Sequence, residues 1–126
     1  IVANKLESKV IIKQGFTIEE LSTIYSMASI FIYPSIFEGF GIPIIEALYA
    51  GTPVITTNSG VFPEAGGPSS CYVDPSNVEE INLAIKHILG DSQASASMIA
   101  QGRHYVQKFN DEKIASELIN CYQSLL

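Results

Sequence analysis

Short apolar runs alternate with amphipathic segments along this chain. Four runs have the length and the β-branched or aromatic composition of strands: residues 10–12, 30–33, 53–57 and 71–73. Elsewhere the apolar residues recur every three or four positions, as they do on one face of a helix. This period predicts helices at 18–28, 43–50, 78–89, 92–109 and 112–125, with a short helical turn near 61–65. Such alternation of strands and helices predicts an α/β fold with a parallel sheet.

Local signals at the helix ends support these boundaries. Thr17 and Glu20 have the spacing of a capping box at the start of the first helix. Pro43 and Gly51 bracket the second helix, in the positions where proline begins helices and glycine ends them.

The run at 30–33 is apolar throughout, which predicts a strand covered on both faces. Two helical stripes are expected to face the core: Ile81, Ile85, Ile88 and Leu89 in one helix, and Ile114, Leu118, Cys121, Tyr122 and Leu125 in the last.

The composition fits a single domain, residues 1–126, and excludes several functions. With 47% hydrophobic and 16% charged residues, the chain can bury a core. The net charge of −6 argues against a nucleic-acid partner, and no apolar run approaches the roughly 18 residues of a membrane span. The two cysteines, Cys71 and Cys121, lie far apart in the sequence, which favours two free thiols in a reducing compartment. One disulfide between them is the open alternative. His87 and His104 lie on separate predicted helices and do not indicate a zinc site.

The basic residues are concentrated at the two ends of the chain. Between Lys13 and Lys86 there is no Lys, Arg or His, while the same stretch contains eight acidic residues. An anion bound by this stretch therefore has to be held by backbone N–H groups or by another part of the protein.

The candidate site is the loop after the strand at 30–33, because ligands bind at the carboxyl ends of parallel strands. Gly39 and Gly41 let the backbone approach a ligand, and the helix that follows begins with free N–H groups that favour anions. Glu38 belongs to this loop. Glu46 is expected in the first turn of the helix, ionised and able to accept hydrogen bonds from hydroxyls such as those of a ribose. The loop lacks the third glycine of a dinucleotide fingerprint and the lysine of a phosphate loop.

The stretch from residue 34 to residue 55 resembles a family signature. It reads Pro34-Ser35-x-x-Glu38-Gly39-Phe40-Gly41-Ile42-Pro43-x-x-Glu46-Ala47-x-x-x-Gly51-x-Pro53-Val54-Ile55. This order is similar to the signature of family 4 glycosyltransferases, also called group 1 glycosyl transferases, which are retaining enzymes of the GT-B fold. The resemblance extends to Gly15-Phe16, to the helix containing Glu20 and Leu21, and to Pro63-Glu64. It implies an incomplete Rossmann-like sheet flanked by helices, as in the C-terminal domain of a GT-B enzyme.

The resemblance also implies a reaction and a role for each site residue. The expected reaction transfers a hexose from a nucleotide-sugar donor to an acceptor hydroxyl with retention, without a metal or a cofactor. Glu38 takes the catalytic position beside the donor sugar. It acts as a nucleophile or as an electrostatic group, and the second role is favoured because an oxocarbenium-like centre gains from a nearby carboxylate. By similarity, the remaining positions bind the donor, and Glu46 accepts hydrogen bonds from its ribose. The donor's sugar and phosphate are held by the backbone of Gly39, Phe40, Gly41 and Ile42. The nucleobase is expected to lie near Gly15, Phe16 and Thr17.

Some parts of the family pattern have no counterpart in these residues. The N-terminal acceptor domain, the first two strands of the donor domain and the basic residues that neutralise the diphosphate are all missing. The chain is therefore expected to be the last two-thirds of a C-terminal domain, inactive alone and dependent on an acceptor domain of the same polypeptide. A cytoplasmic location is expected, with the complete protein at most peripheral to a membrane.

The absent strands have a consequence for the sheet. In the usual doubly wound order, they would separate the strand at 10–12 from the strand at 30–33. The first of these strands is therefore expected either to pair directly with the second or to exchange into another copy and form a dimer, because open strand edges are aggregation-prone.

Two other functions are compatible with the same residues. The chain can be a non-catalytic binding or interaction module that keeps the fold without the chemistry. It can also be a glycoside hydrolase that uses Glu38 and Glu46 as acid and base, provided that the carboxylates lie about 5–9 Å apart. The second alternative is disfavoured, since Glu38 lies on a glycine loop and the chain has no tryptophan on which a sugar could stack.

Overall fold

The sheet consists of three short parallel strands. A computed structural model describes residues 2–125, and the side chains of residues 3–125. In it, β1 (Phe31–Tyr33), β2 (Val54–Thr57) and β3 (Cys71–Val73) lie side by side in the order β1-β2-β3. The central strand β2 is buried along its whole length. The predicted strands at 30–33, 53–57 and 71–73 and the parallel sheet are thus confirmed.

Six α-helices flank or follow the strands in this part of the chain. They are α1 (Ile18–Met27), α2 (Ile42–Ala50), α3 (Phe62–Gly66), α4 (Val78–Gly90), α5 (Ser92–Tyr105) and α6 (Asp111–Ser124). Short 3₁₀ helices span Val2–Asn4 and Val106–Phe109, so the helix predicted at 92–109 ends in a tighter turn. The other predicted helices are present within one or two residues of their expected ends, whereas α5 ends four residues before the predicted position.

The ends of α1 and α2 form for local reasons. At the start of α1, the Thr17 Oγ1 accepts a hydrogen bond from the Glu20 amide at 3.2 Å, and Glu20 accepts one from the Thr17 amide at 3.0 Å. This confirms the capping box. Helix α2 begins after Gly41 and ends before Gly51, which have φ angles of 91° and 85°. Such left-handed backbone favours glycine, which has no Cβ to clash.

The core lies on both faces of the sheet. On one face, buried residues of α1, α2 and α3 pack on Val54, among them Tyr25, Ile44 and Phe62. On the other face, α4 packs on Ile55 through Ala84 and Ile88. Adjacent residues of a strand point to opposite faces, so Val54 and Ile55 each contribute to a separate cluster. The sheet therefore lies between two helical layers.

The predicted strand at 10–12 is wrong. Residues 10–17 have no regular structure, and the side chains of Ile11 and Ile12 are 90% and 78% exposed. A strand is stable only when a neighbour satisfies its backbone groups, and within residues 2–125 no segment pairs with this one. The expected pairing with the strand at 30–33 therefore does not occur. Exchange into a second copy stays a prediction.

Some side chains expected in the core are exposed. The last helix, α6, has no buried residue, and Ile114, Leu118 and Tyr122 on its apolar stripe are each at least half exposed. Leu89 of α4 is also exposed, and Ile32 of β1 is 38% exposed, so the second face of β1 is only partly covered. A helical period shows which residues share a face, but it does not show that another element covers that face.

The two cysteines differ in accessibility, and both are free. Cys71 is half-buried, and burial, together with the charge of Glu80, raises the pKa of its thiol above the usual value, whereas Cys121 is exposed on α6. Because the thiolate is the reactive form, we expect a thiol reagent at pH 8 to modify Cys121 before Cys71. Mass spectrometry of peptides from partially modified protein measures this order. Equal or faster modification of Cys71 would contradict it.

Candidate functional site

Glu38 lies in the loop that follows β1, as predicted, at the carboxyl end of the sheet. Its carboxylate is half-buried, and its Oε1 accepts hydrogen bonds from the Tyr33 hydroxyl at 2.5 Å and the Ser35 hydroxyl at 3.2 Å. The hydrogen bond to Glu38, with some burial, raises the pKa of Tyr33 above its usual value. Both hydroxyls bind the same oxygen, which leaves Oε2 free of donors from the described residues.

Glu46 lies in the second turn of α2, so its predicted position in the first turn is wrong. Helix α2 begins at Ile42, and Glu46 is its fifth residue. The field of a helix end falls off within the first turn, so the expected stabilisation by the helix dipole is lost. Instead, the Tyr25 hydroxyl donates a hydrogen bond to Glu46 Oε2 at 3.3 Å. Burial and then the charge of Glu46 raise the pKa of Tyr25 to about 12.

A pocket of about 300 Å³ opens between α1 and α2 beside Glu46. Its lining is mainly apolar, with a few polar groups, a composition typical of ligand sites. The residues that line it are Ile18, Leu21, Ser22, Tyr25, Glu46, Tyr49 and Ala50. The residues expected near a nucleobase, Gly15, Phe16 and Thr17, immediately precede Ile18 but do not line this pocket themselves, so their role stays a prediction. Glu46 of α2 and Ile18 of α1, remote in sequence, are thus brought to one pocket.

The glycine loop reaches the start of α2. Gly41 is the residue before the helix, and it provides no side chain to cap the first amides. Gly41 is also buried, and a Cβ there would lie 3.2 Å from the Cβ of Ala65. The backbone can therefore adopt this turn closely against α3 only with glycine. Residues 39–42 directly follow Glu38 in the loop after β1 and lead into α2.

Arg103 of α5 contacts this half of the chain directly, and Lys108 of the following turn is linked to it only through Phe109; the sequence pattern indicated neither. Phe40 of the loop packs edge-on against Phe109, with ring centroids 5.6 Å apart. The Lys108 ammonium lies 4.6 Å from the centroid of that same ring. At the other end of α2, Arg103 donates a hydrogen bond to the Ala50 carbonyl. Only the fold brings these cations to the acidic stretch, so no local signal could have found them.

An aromatic row connects the two glutamates. The rings of Tyr25 and Phe31 meet edge-to-face with centroids 5.1 Å apart, and Phe31 stacks on Tyr33 at 5.7 Å. The tyrosine that binds Glu46 and the tyrosine that binds Glu38 therefore flank one phenylalanine of β1. Aromatic pairs at these distances stabilise each other's orientation.

Among the side chains of residues 3–125, no group of three His, Cys, Asp or Glu residues is arranged to hold a metal ion. Metal independence stays a prediction. No helix within residues 2–125 has the length and apolar character needed to cross a membrane.

The comparison with protein families decides the classification. The model of the family described as glycosyl transferases group 1 matches residues 2–105. The chain belongs to this family. The resemblance stated for the motif at 34–55 is thereby confirmed, and the sheet with its flanking helices is that of a GT-B glycosyltransferase domain.

Individual relatives of this group 1 chain are glycosyltransferases. It is 36% identical to the O-antigen chain mannosyltransferase B of Escherichia coli, over 85% of this chain and 28% of that protein. It is also 36% identical to the O-antigen chain mannosyltransferase RfbU of Salmonella typhimurium, over 87% of this chain and 30% of that protein. A sucrose-phosphate synthase from Thermosynechococcus elongatus superposes with a TM-score of 0.86 and 31% identity, over 98% of this chain and 32% of that one. The chain thus spans less than a third of the length of each.

Proposed function

We propose that this chain is the donor-binding part of a retaining glycosyltransferase, which transfers a sugar from a nucleotide-diphosphate-sugar to an acceptor hydroxyl. The observation that carries the proposal is the arrangement of two glutamates in a group 1 family chain. Glu38 lies at the carboxyl edge of the sheet, Glu46 lies at a mainly apolar pocket, and each accepts a hydrogen bond from a buried or half-buried tyrosine. Parallel α/β sheets bind their ligands at this edge.

The pocket between α1 and α2 suits a nucleoside. Its volume of about 300 Å³ is at the lower end of the range for small-molecule sites. Apolar walls from Ile18 and Leu21 can cover a planar base, and residues 15–17, which directly precede Ile18, are proposed to lie near that base. Glu46 is exposed at the pocket, so its free acceptor positions can receive the hydroxyls of a ribose.

The loop at 38–42 suits the diphosphate and the sugar. The amides beside Gly41 face no side-chain cap and can donate to phosphate and sugar oxygens. The Glu38 carboxylate, with Oε2 free, stabilises the positive charge that develops at the anomeric carbon when the glycosidic bond to phosphate breaks. Further positive charge for the diphosphate comes from another part of the protein, because residues 14–85 contain no basic side chain.

The relatives favour a hexosyl donor, since two of those named are mannosyltransferases. The acceptor domain belongs to the remainder of the polypeptide, and so the chain alone is proposed to be inactive. We place the protein in the cytoplasm, where nucleotide-sugar donors are supplied, and no metal takes part in the proposed reaction.

Substitution of Glu46 tests the donor site. In the complete polypeptide that contains this sequence, Glu46→Gln should weaken binding of the nucleoside diphosphate by about tenfold or more, because a charged acceptor is replaced by a neutral one. Titration calorimetry with the nucleoside diphosphates of the four common bases measures the affinity. Glu79→Gln, which neutralises an exposed acid on α4, is the matched control and should bind as the parent does. Equal affinities for the Glu46 variant and the parent would contradict the ribose role.

A further inference from the structure

We infer that Tyr33 is a positioning residue, whose hydroxyl holds the Glu38 carboxylate in its working orientation. The inference rests on the proposed function, because it concerns the carboxylate to which we assign the reaction. The proposed role of the tyrosine requires no contact with the sugar. It acts through Glu38, by fixing which of the two carboxylate oxygens is presented to the substrate.

The contacts of Glu38 are asymmetric. Tyr33 donates to Oε1 at 2.5 Å, and the Ser35 hydroxyl lies 3.2 Å from both Oε1 and the Phe37 carbonyl oxygen, which share its single proton. Within the described part of the chain Oε2 receives no hydrogen bond. The short hydrogen bond from Tyr33, supported by the shared one from Ser35, defines the rotation of the carboxylate, since turning it would break both contacts. The oxygen left free is then the one available to a developing positive charge.

The two donors are themselves fixed to the buried strand β2. Thr56 donates through its hydroxyl to the Tyr33 carbonyl at 2.9 Å, and Thr57 donates to the Ser35 carbonyl at 2.7 Å. Both threonines are almost completely buried. The backbone on either side of Pro34 is therefore held by the most buried strand of the sheet, independently of Glu38.

The Tyr33 ring is also held on two sides. It stacks on Phe31 and meets Phe62 edge-on, with centroids 6.5 Å apart. Its hydroxyl thus has a defined position before Glu38 binds to it. Because the pKa of Tyr33 is raised, chiefly by that hydrogen bond, the hydroxyl stays protonated and remains a donor through the neutral pH range.

Tyr25 and Glu46 form a looser arrangement. They share a single hydrogen bond of 3.3 Å, and Glu46 is exposed rather than half-buried. The tighter pair is the one at the carboxylate to which we assign the chemistry. This difference is expected if the orientation of Glu38 matters to the reaction and Glu46 only has to accept hydrogen bonds from a bound ligand.

The test compares Tyr33→Phe with the parent in the complete polypeptide, using steady-state transfer to an acceptor. We expect kcat to fall about tenfold while KM for the donor changes less than about twofold, because an interaction that acts only in the transition state lowers kcat selectively. Tyr72→Phe is the control, since Tyr72 donates to the Gly67 carbonyl at 2.5 Å and does not contact either glutamate. It should leave kcat unchanged. Ser35→Ala removes the second donor and should lower kcat by a smaller factor of about three.

Glu38→Gln separates this inference from the proposed function. If Glu38→Gln lowers transfer about a hundredfold or more while Tyr33→Phe and Ser35→Ala both keep a kcat within about twofold of the parent, the positioning role is wrong and the proposed function stands. If Glu38→Gln itself transfers at the parent rate, the proposed function fails. A fall in kcat for Tyr33→Phe that is matched by Tyr72→Phe, with equal loss of thermal stability, assigns Tyr33 a structural role only and overturns the inference. Should Tyr33→Phe not fold, Ser35→Ala alone decides between these outcomes.

Discussion

Replacing Glu38 by glutamine should reduce sugar transfer by the complete polypeptide between about a hundredfold and a thousandfold, the range expected when a group that stabilises transition-state charge is lost. Glutamine has the shape of glutamate and keeps a side-chain oxygen for the hydroxyls of Tyr33 and Ser35. The variant therefore removes the negative charge with little change of structure. Donor affinity should remain near that of the parent, because the ribose contact is assigned to Glu46. Transfer of sugar from a radiolabelled donor to the acceptor measures the rate.

Glu117→Gln is the matched control for this variant. Glu117 lies on α6, where every side chain is exposed, and its neutralisation should leave the rate unchanged. Parent-like transfer by Glu38→Gln would contradict a catalytic role for this carboxylate. A parent protein that binds the donor without transferring its sugar would favour the non-catalytic module instead. Release of free sugar from an oligosaccharide, lost in both Glu38→Gln and Glu46→Gln, would favour the glycoside hydrolase.

Much of the fold could be predicted because it depends on neighbouring residues. The capping box of α1 joins residues three apart, and the glycines at both ends of α2 adopt conformations that other residues avoid. Whether residues 10–12 form a strand could not be predicted from neighbouring residues. Its β-branched residues favour extended backbone, but a strand also needs a partner that can be remote in sequence. The stripe on α6 failed for the same reason, since the sequence does not show what covers it.

In the candidate site, too, the residues that are close in sequence could be predicted, and the contacts between remote residues could not. The sequence motif contains Glu38, Glu46 and the glycines within nine positions, so it could be recognised as a pattern. In the structure Glu38 lies at the carboxyl end of the sheet and Glu46 lies at a pocket. Tyr25 could not be recognised, since it reaches Glu46 across 21 positions of the chain. Tyr33 lies only five residues before Glu38, yet its role depends on the turn of the loop. Glu46 was predicted in the first helical turn because α2 was expected to begin at Pro43, one residue too late. Sequence patterns locate a helix boundary less well than the helix itself.

The side chain that joins this site to the core is Phe62, and its truncation should have the largest effect on stability. Phe62 is 1% exposed, belongs to the cluster formed with Ile44 and Leu48, and contacts the Tyr33 ring edge-on. Phe62→Ala leaves a cavity between α2, α3 and the sheet, and removal of a buried phenylalanine costs about 3–5 kcal/mol of unfolding free energy. Since domains are stable by only about 5–15 kcal/mol, this change should leave a marginal protein.

Phe37→Ala is the matched control, because the same atoms are removed from a side chain that is 86% exposed. Its unfolding free energy should stay within about 0.5 kcal/mol of the parent. Urea denaturation followed by circular dichroism gives both values, and similar midpoints for the two variants would show that Phe62 does not pack in the core. Because Phe62 holds one side of the Tyr33 ring, Phe62→Ala should also lower kcat at temperatures where the variant is still folded. A destabilised variant with the full kcat would mean that packing behind Tyr33 is irrelevant to Glu38, and that the strand β2 alone fixes its donors.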